Sequence, residues 1–272
     1  MAVRIKLGCA ALAFTFSVSP IVADGLALKL ASTDVLQKRL DAGLVTQKER
    51  QAAVEELFAG VGCATEEQPV RKNVANVICT LPGKTLSTII VGGHYDYRTE
   101  GQGIVDDWTG TALLASLYEA LKSEPRQHTY QFVAFAAEEQ GLIGSQHFAK
   151  TMTAEQKDRT QAFVNLECLG LTTPRVWVSR SSPVLVNRLE EIASAMHIPL
   201  AGVNVDRVGD DDTHPFRNRN IAVVSIHSVT GETLGILHSK RDNSSAVNME
   251  DYTAAYRLVA FYLAYLDAKL LP

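Results

Sequence analysis

The chain has 272 residues, enough for one domain with a full hydrophobic core. Hydrophobic residues make up 46% and charged residues 21%, a balance that excludes wholesale disorder. The formal charge of -4 comes without a basic run or an aromatic-interleaved basic stripe, which argues against nucleic acid or an anionic membrane surface as partner.

In chain order, the first segment reads as a targeting sequence. Arg4 and Lys6 precede an apolar run from Leu7 to about Val18, followed by Ser19-Pro20-Ile21-Val22-Ala23. A charged start, a short apolar stretch and a small residue at the exit predict a secretory signal over 1–23, cleaved after Ala23, with the mature chain exported to the periplasm or beyond. The run is short for a membrane anchor and no second one follows, so no stable span is expected after cleavage. Residues 24–272 are expected to form a single domain. Cys63 and Cys79 flank a polar stretch able to double back, and in an oxidising compartment they are expected to pair. Cys168 then remains, in an apolar segment, buried and inert.

Residues 33–60 carry apolar side chains at helical intervals behind a Ser32-Thr33-Asp34 cap. Strands are predicted at 74–81, closed by Pro82-Gly83, and at 86–91, ending in Gly92-Gly93. A helix is predicted over 109–122, buried strands over 130–137 and 162–169, a short strand at 176–178 and a helix over 184–197. A last buried strand at 221–226 precedes a closing helix over 252–270. Near-continuous apolar strands separated by helices predict an α/β three-layer sandwich, its mostly parallel, mixed central sheet covered on both faces.

In such sheets ligands sit beyond the carboxyl ends of the strands. Here those ends lead into His94-Tyr95-Asp96, Glu138-Glu139 and Glu167. The last strand leads, after a loop, to Leu237-His238, and Asp106-Asp107 opens the helix near Thr109. Singly, Glu138-Glu139 or Asp106-Asp107 suits an ordinary helix start. Glu167 is harder to place that way, because it interrupts an apolar run and a buried carboxylate needs a partner. Gathered at one rim, carboxylates and imidazoles suit Zn²⁺, and a bound cation relieves their mutual repulsion.

The stretches VGGHYD (91–96), GIVDDWTGTALL (103–114), FVAFAAEEQGLIGSQHFA (132–149), FVNLECLG (163–170), DTHPFRNRNIAVVSI (212–226) and LHSKRDN (237–243) resemble, in order and spacing, the bacterial leucyl aminopeptidase type of dizinc exopeptidase. That family also includes glutamate carboxypeptidase II and glutaminyl cyclase. The resemblance implies hydrolysis of a peptide or aminoacyl small-molecule substrate, most simply release of N-terminal amino acids, with two zinc ions per chain. It implies His94 and Glu167 as terminal ligands of one ion, Glu139 and His238 of the other, and Asp106 as the bridge, joined to Asp107 by a cis peptide bond. Asp96 would accept a hydrogen bond from the His94 ring. Two such ions can share a water and lower its pKa, and Glu138 would act as its general base.

Three positions depart from the family pattern. Glu167 stands where Asp is more usual. Trp108-Thr109 replaces a small pair, and Trp108 either walls the substrate pocket or simply packs. Asp212 matches the family's acid, but His214 comes one position late and is either a substrate contact or a surface residue. His128, His147, His197 and His227 are expected to be structural or exposed. The competing activity is a glutaminyl cyclase-like acyltransferase with a single zinc, suggested mildly by Asp242-Asn243. A non-catalytic binding module would have lost ligands or the base, and here every such position carries a competent side chain.

Overall fold

The computed structural model describes residues 28–206 and 209–271, so the signal segment read at 1–23 lies outside the described residues. The helical pattern over 33–60 forms two helices rather than one. α1 (Thr33–Asp41) starts at Ser32, whose hydroxyl accepts the Val35 N–H, and buries Leu36 and Leu40. The chain then turns at Gly43, where a Cβ would lie 2.3 Å from the Trp108 ring. α2 (Arg50–Gly60) follows and buries Val54 and Phe58. The helical period survives the break because both pieces pack on the same core.

The polar stretch after α2 does double back. It forms β1 (Thr65–Arg71), which pairs antiparallel with β2 (Val74–Leu81). β1 was not legible as a strand, since only its pairing, and no apolar run, marks it. Cys63 and Cys79 form the expected disulfide, with their Cα atoms 6.1 Å apart. Then come β3 (Thr88–His94), α3 (Thr109–Leu121), β4 (Thr129–Phe135), α4 (Ile143–Thr151), α5 (Ala154–Asp158) and β5 (Thr160–Leu166). The rest is β6 (Arg175–Val176), α6 (Pro183–Ala195), β7 (Ala201–Gly202), α7 (His214–Arg217), β8 (Val223–His227) and α8 (Met249–Lys269).

The strands make one sheet in the order β1-β2-β4-β3-β5-β8-β6-β7. Its centre, β4-β3-β5-β8, is parallel; β2 and β6 join it antiparallel from either side. Side chains alternate between the faces as the two-residue period requires. Ile89, Val91, Phe132, Ala134 and Val164 face a large core shared with α1, α2, α3, α6 and α8. Ile90, Val133, Phe135 and Phe163 face a smaller core with α4 and α7, where Phe163 and Phe216 rings lie 4.3 Å apart. The architecture is the predicted three-layer α/β sandwich. Four parallel strands therefore deliver their carboxyl ends to one rim.

Candidate metal centre

Each candidate side chain leaves a strand end or an adjoining turn. β3 ends on His94, with Asp96 two residues on. β4 runs into Ala137, whose left-handed backbone (φ 56°) starts a single 3₁₀ turn over Glu138–Gln140. That sharp turn lets neighbouring glutamates point differently. β5 ends next to Glu167, and Cys168 (φ 49°) turns the chain left-handed immediately after it. His238 itself has φ 52°. Such backbone is uncommon for residues with a Cβ, and it clusters where a site over-determines the chain. The Asp106–Asp107 peptide is cis, as the resemblance implied.

The five proposed ligands meet. His94 Nε2 lies 3.2 Å from Asp106 Oδ1 and 3.4 Å from Glu167 Oε1. His238 Nε2 lies 3.0 Å from Asp106 Oδ2 and 3.2 Å from Glu139 Oε2. The two oxygens of Asp106 thus face different imidazoles. Glu138 Oε2 stands 3.9 Å from His94 Nε2, inside the same nest.

Surrounding groups hold this arrangement. Asp107 is spent on structure: its carboxylate accepts the N–H groups of His94 (3.2 Å), Gly110 (3.1 Å) and Cys168 (2.9 Å). Gly110 has no room for a Cβ, which would meet Leu166 O at 2.5 Å. Thr111 Oγ1 donates to the His94 carbonyl at 2.7 Å. Asp96 differs from expectation. The His94 ring Nδ1 pairs with the Asp96 backbone carbonyl at 3.0 Å, while the nearest carboxylate oxygen is 3.7 Å away. The Asp96 carboxylate instead accepts the N–H groups of Glu138 (2.8 Å) and Glu139 (3.3 Å). One acid therefore orients the backbone of two candidate groups. Arg50, fully buried, donates to the carbonyls of Gln102 (2.5 Å) and Gly103 (3.1 Å) and lies 4.5 Å from the Tyr97 ring and 4.7 Å from that of Trp108. It fastens the segment leading into Asp106, and no sequence signal marked it.

Electrostatics fit a cation. Burial, reinforced by Asp212, Glu167 and Asp106, pushes the Glu138 carboxyl well above the usual range, and burial raises Glu167 as well. Burial would raise Asp106 too, but the His238 and His94 imidazoles hold it below the carboxylate range. Asp106 and Glu139 push His238 up to about 10. His94 is raised although burial opposes it, because Glu138, Asp106, Asp96 and Glu167 surround it. Among the described residues, buried His94 Nε2, which faces Asp106 and Glu167, and buried Glu139 Oε1 have no hydrogen-bond partner. Asp106, Glu139 and His238 each bring a ligand atom within 4.8 Å of the others. His94, Asp107 and Glu167 do so as well, but the backbone donors already occupy Asp107, leaving Asp106 as the carboxylate free for both halves. Orphaned nitrogen and oxygen donors at these separations suit a metal.

The nest opens into a cavity of about 430 Å³, walled by Leu142, Trp177, Val205, Val229 and Leu237. Trp108 takes no part in it. That ring is buried in the core and donates its indole N–H to Arg39 O at 3.0 Å. His214 pairs with Asp210 and is not among the wall residues. His128 is structural, fastened to Asp267, and His197 is exposed. His227 is both buried and part of the wall; its ring is tied to Val203 O and Val229 N, and burial lowers it to about 4. Apart from His227, which ends β8, the wall residues named here come from loops, and no periodic pattern announced them.

Residues 76–263 match peptidase family M28, and the chain belongs to that family. It is 27% identical over 157 residues to leupeptin-inactivating enzyme 1 of Streptomyces exfoliatus, a match covering 56% of this chain and 35% of that one. The chain spans about a third or less of the length of such curated relatives. Among solved structures, BSAP, a zinc aminopeptidase from Bacillus subtilis, superposes with a TM-score of 0.66 at 22% identity, covering 72% of this chain and 51% of the other. An Acidobacteriales bacterium glutaminyl cyclase superposes at 0.76 and 17% identity, covering 90% and 98%. At these identities the two structures speak for the fold.

Proposed function

We propose that this protein is an exported zinc-dependent aminopeptidase that holds two ions. One observation carries the reading: the two carboxylate oxygens of Asp106 face two imidazoles, at 3.2 and 3.0 Å, and each imidazole has a further carboxylate beside it. His94, Glu167 and Asp106 would hold one ion; His238, Glu139 and Asp106 the other. Bound zinc supplies Lewis acidity, polarising the scissile carbonyl and making an attacking water acidic.

The chain's own residues do the rest. Glu138 takes the proton of the attacking water and passes it to the leaving amine, a role that suits a mostly buried carboxyl with raised proton affinity. Asp96 holds the Glu138 and Glu139 backbone so that one side chain serves the proton and the other the metal. The apolar walls at Leu142, Trp177 and Val229 seat the substrate side chain and exclude water. The disulfide supports an oxidising compartment, and no helix among the described residues is long and apolar enough to cross a membrane.

The test is a release assay on aminoacyl and N-blocked peptides, with metal counted on the same sample. Free N-termini cleaved by protein holding two ions are expected. Glu138→Gln should abolish turnover and keep its metal; full activity in that variant removes the proposed base. A second reading, a single-zinc glutaminyl cyclase, draws on the cyclase fold that this chain spans almost end to end. Pyroglutamate formed from N-terminal glutamine by protein holding one ion would select it.

A further inference from the structure

One side chain facing the nest is left over by the five-ligand set. Cys168 follows Glu167 directly, is buried, makes no disulfide and lines the cavity. Its backbone is pinned on both sides. The N–H donates to Asp107 Oδ1 at 2.9 Å, and the carbonyl accepts from Ser228 Oγ at 2.5 Å. Its Sγ is 3.6 Å from Glu167 Oε1. Asp106, Glu167 and Cys168 each bring a ligand atom to within 4.8 Å of the others. The same Glu167 oxygen is 3.4 Å from His94 Nε2, a buried nitrogen with no hydrogen-bond partner among the described residues. Zinc–sulfur and zinc–oxygen bonds of about 2.3 and 2.1 Å at a tetrahedral angle put sulfur and oxygen roughly 3.6 Å apart. Sulfur and two carboxylate oxygens therefore gather within ligand reach of one another, and the His94 imidazole stands against one of those oxygens.

We infer that Cys168 is a metal ligand on the His94 and Glu167 side. That half is then a nitrogen, oxygen and sulfur site, while the Glu139 and His238 half has nitrogen and oxygen alone. The inference rests on the reading that these residues hold metal at all. As the sulfur–metal bond forms, the thiol proton leaves to solvent. Thiolate favours zinc or cadmium over harder ions such as manganese, so the two halves differ in the cations they prefer.

Cobalt distinguishes the possibilities. The purified protein is stripped with a chelator, loaded with Co²⁺ and its absorption recorded. The expected spectrum has visible d–d bands and a near-ultraviolet sulfur-to-cobalt charge-transfer band. Cys168→Ser should keep the visible bands, lose the near-ultraviolet one, and bind Cd²⁺ about tenfold or more weakly at one of its sites. Visible bands without the charge-transfer band in the unaltered protein would overturn the inference and leave the metal reading intact, making Cys168 a packing residue beside Val105 and Val229. The same conclusion follows if Cys168→Ser leaves the spectrum unchanged. No visible bands at all would overturn both. If Cys168→Ser fails to fold, the spectrum of the unaltered protein decides alone.

Discussion

The two halves of the proposed metal nest are built by different means. His94 ends a central strand with its side chain 1% exposed, and its backbone is tied to Asp107 and Thr111. His238 sits on a loop with its side chain 47% exposed. One half is set by the sheet, so its geometry forms when the core forms. The other is set by a loop that holds its imidazole half-exposed at the cavity. Asp106 belongs to both, which makes it the hinge of the comparison.

The largest expected effect follows from that. Asp106→Asn should deprive both halves of metal and lower kcat/KM by about 10³-fold, or about 4 kcal/mol of transition-state stabilisation. Metal counting checks it, and retention of one full equivalent would break the symmetry claimed for Asp106. The two imidazoles should then separate. His94→Ala leaves buried carboxylates without their counter-charge, so it should lower the melting temperature of the metal-free protein; His238→Ala, which removes a half-exposed ring, should lower it by less. Equal shifts would erase the distinction between strand-built and loop-built halves. Asp96→Asn should lower kcat about 10- to 100-fold with little change in KM, because it loosens the Glu138–Glu139 backbone without touching the cavity wall.

The smallest effect is a pH dependence of the metal-free protein. His238 is raised above its ordinary value, to about 10, by Asp106 and Glu139. A pKa raised on folding contributes stability that is fully present below the unfolded value near 6.5 and is lost as pH rises through the folded value. The stability gap between the unaltered chelated protein and His238→Ala should therefore narrow as pH rises from about 6.5 towards 10. Denaturant titrations across that range measure it. A gap that widens would place the proton elsewhere.

Much of this was readable from residues alone, and the reasons are physical. Central parallel strands are buried on both faces, so their apolar runs stand out, and chemistry-bearing residues follow them directly. Glu167 was conspicuous because it interrupts such a run. β1 was not, because Thr65–Arg71 is a polar strand at the margin of the sheet. The break between α1 and α2 depends on Gly43 meeting Trp108, a contact between positions far apart in the chain. Asp96 was picked out as an acceptor for the His94 ring, and it meets that ring through its backbone carbonyl, with its carboxylate turned elsewhere. The resemblance implied the contact with His94, but nothing in the sequence near Asp96 shows that the fold turns its carboxylate towards the chain after β4. Arg50 left no trace in sequence, since its partners are carbonyls.

The outer strands carry a consequence of their own. An open sheet ends in unsatisfied backbone groups that can recruit another polypeptide. Here one margin is β1, with exposed Glu66, Glu67, Pro69 and Arg71, and the other is β7, only two residues long. Charge repulsion and a missing N–H blunt the first, and brevity blunts the second. Neither margin is a good template for fibril growth, so the eight-stranded sheet is guarded against self-templating at both ends.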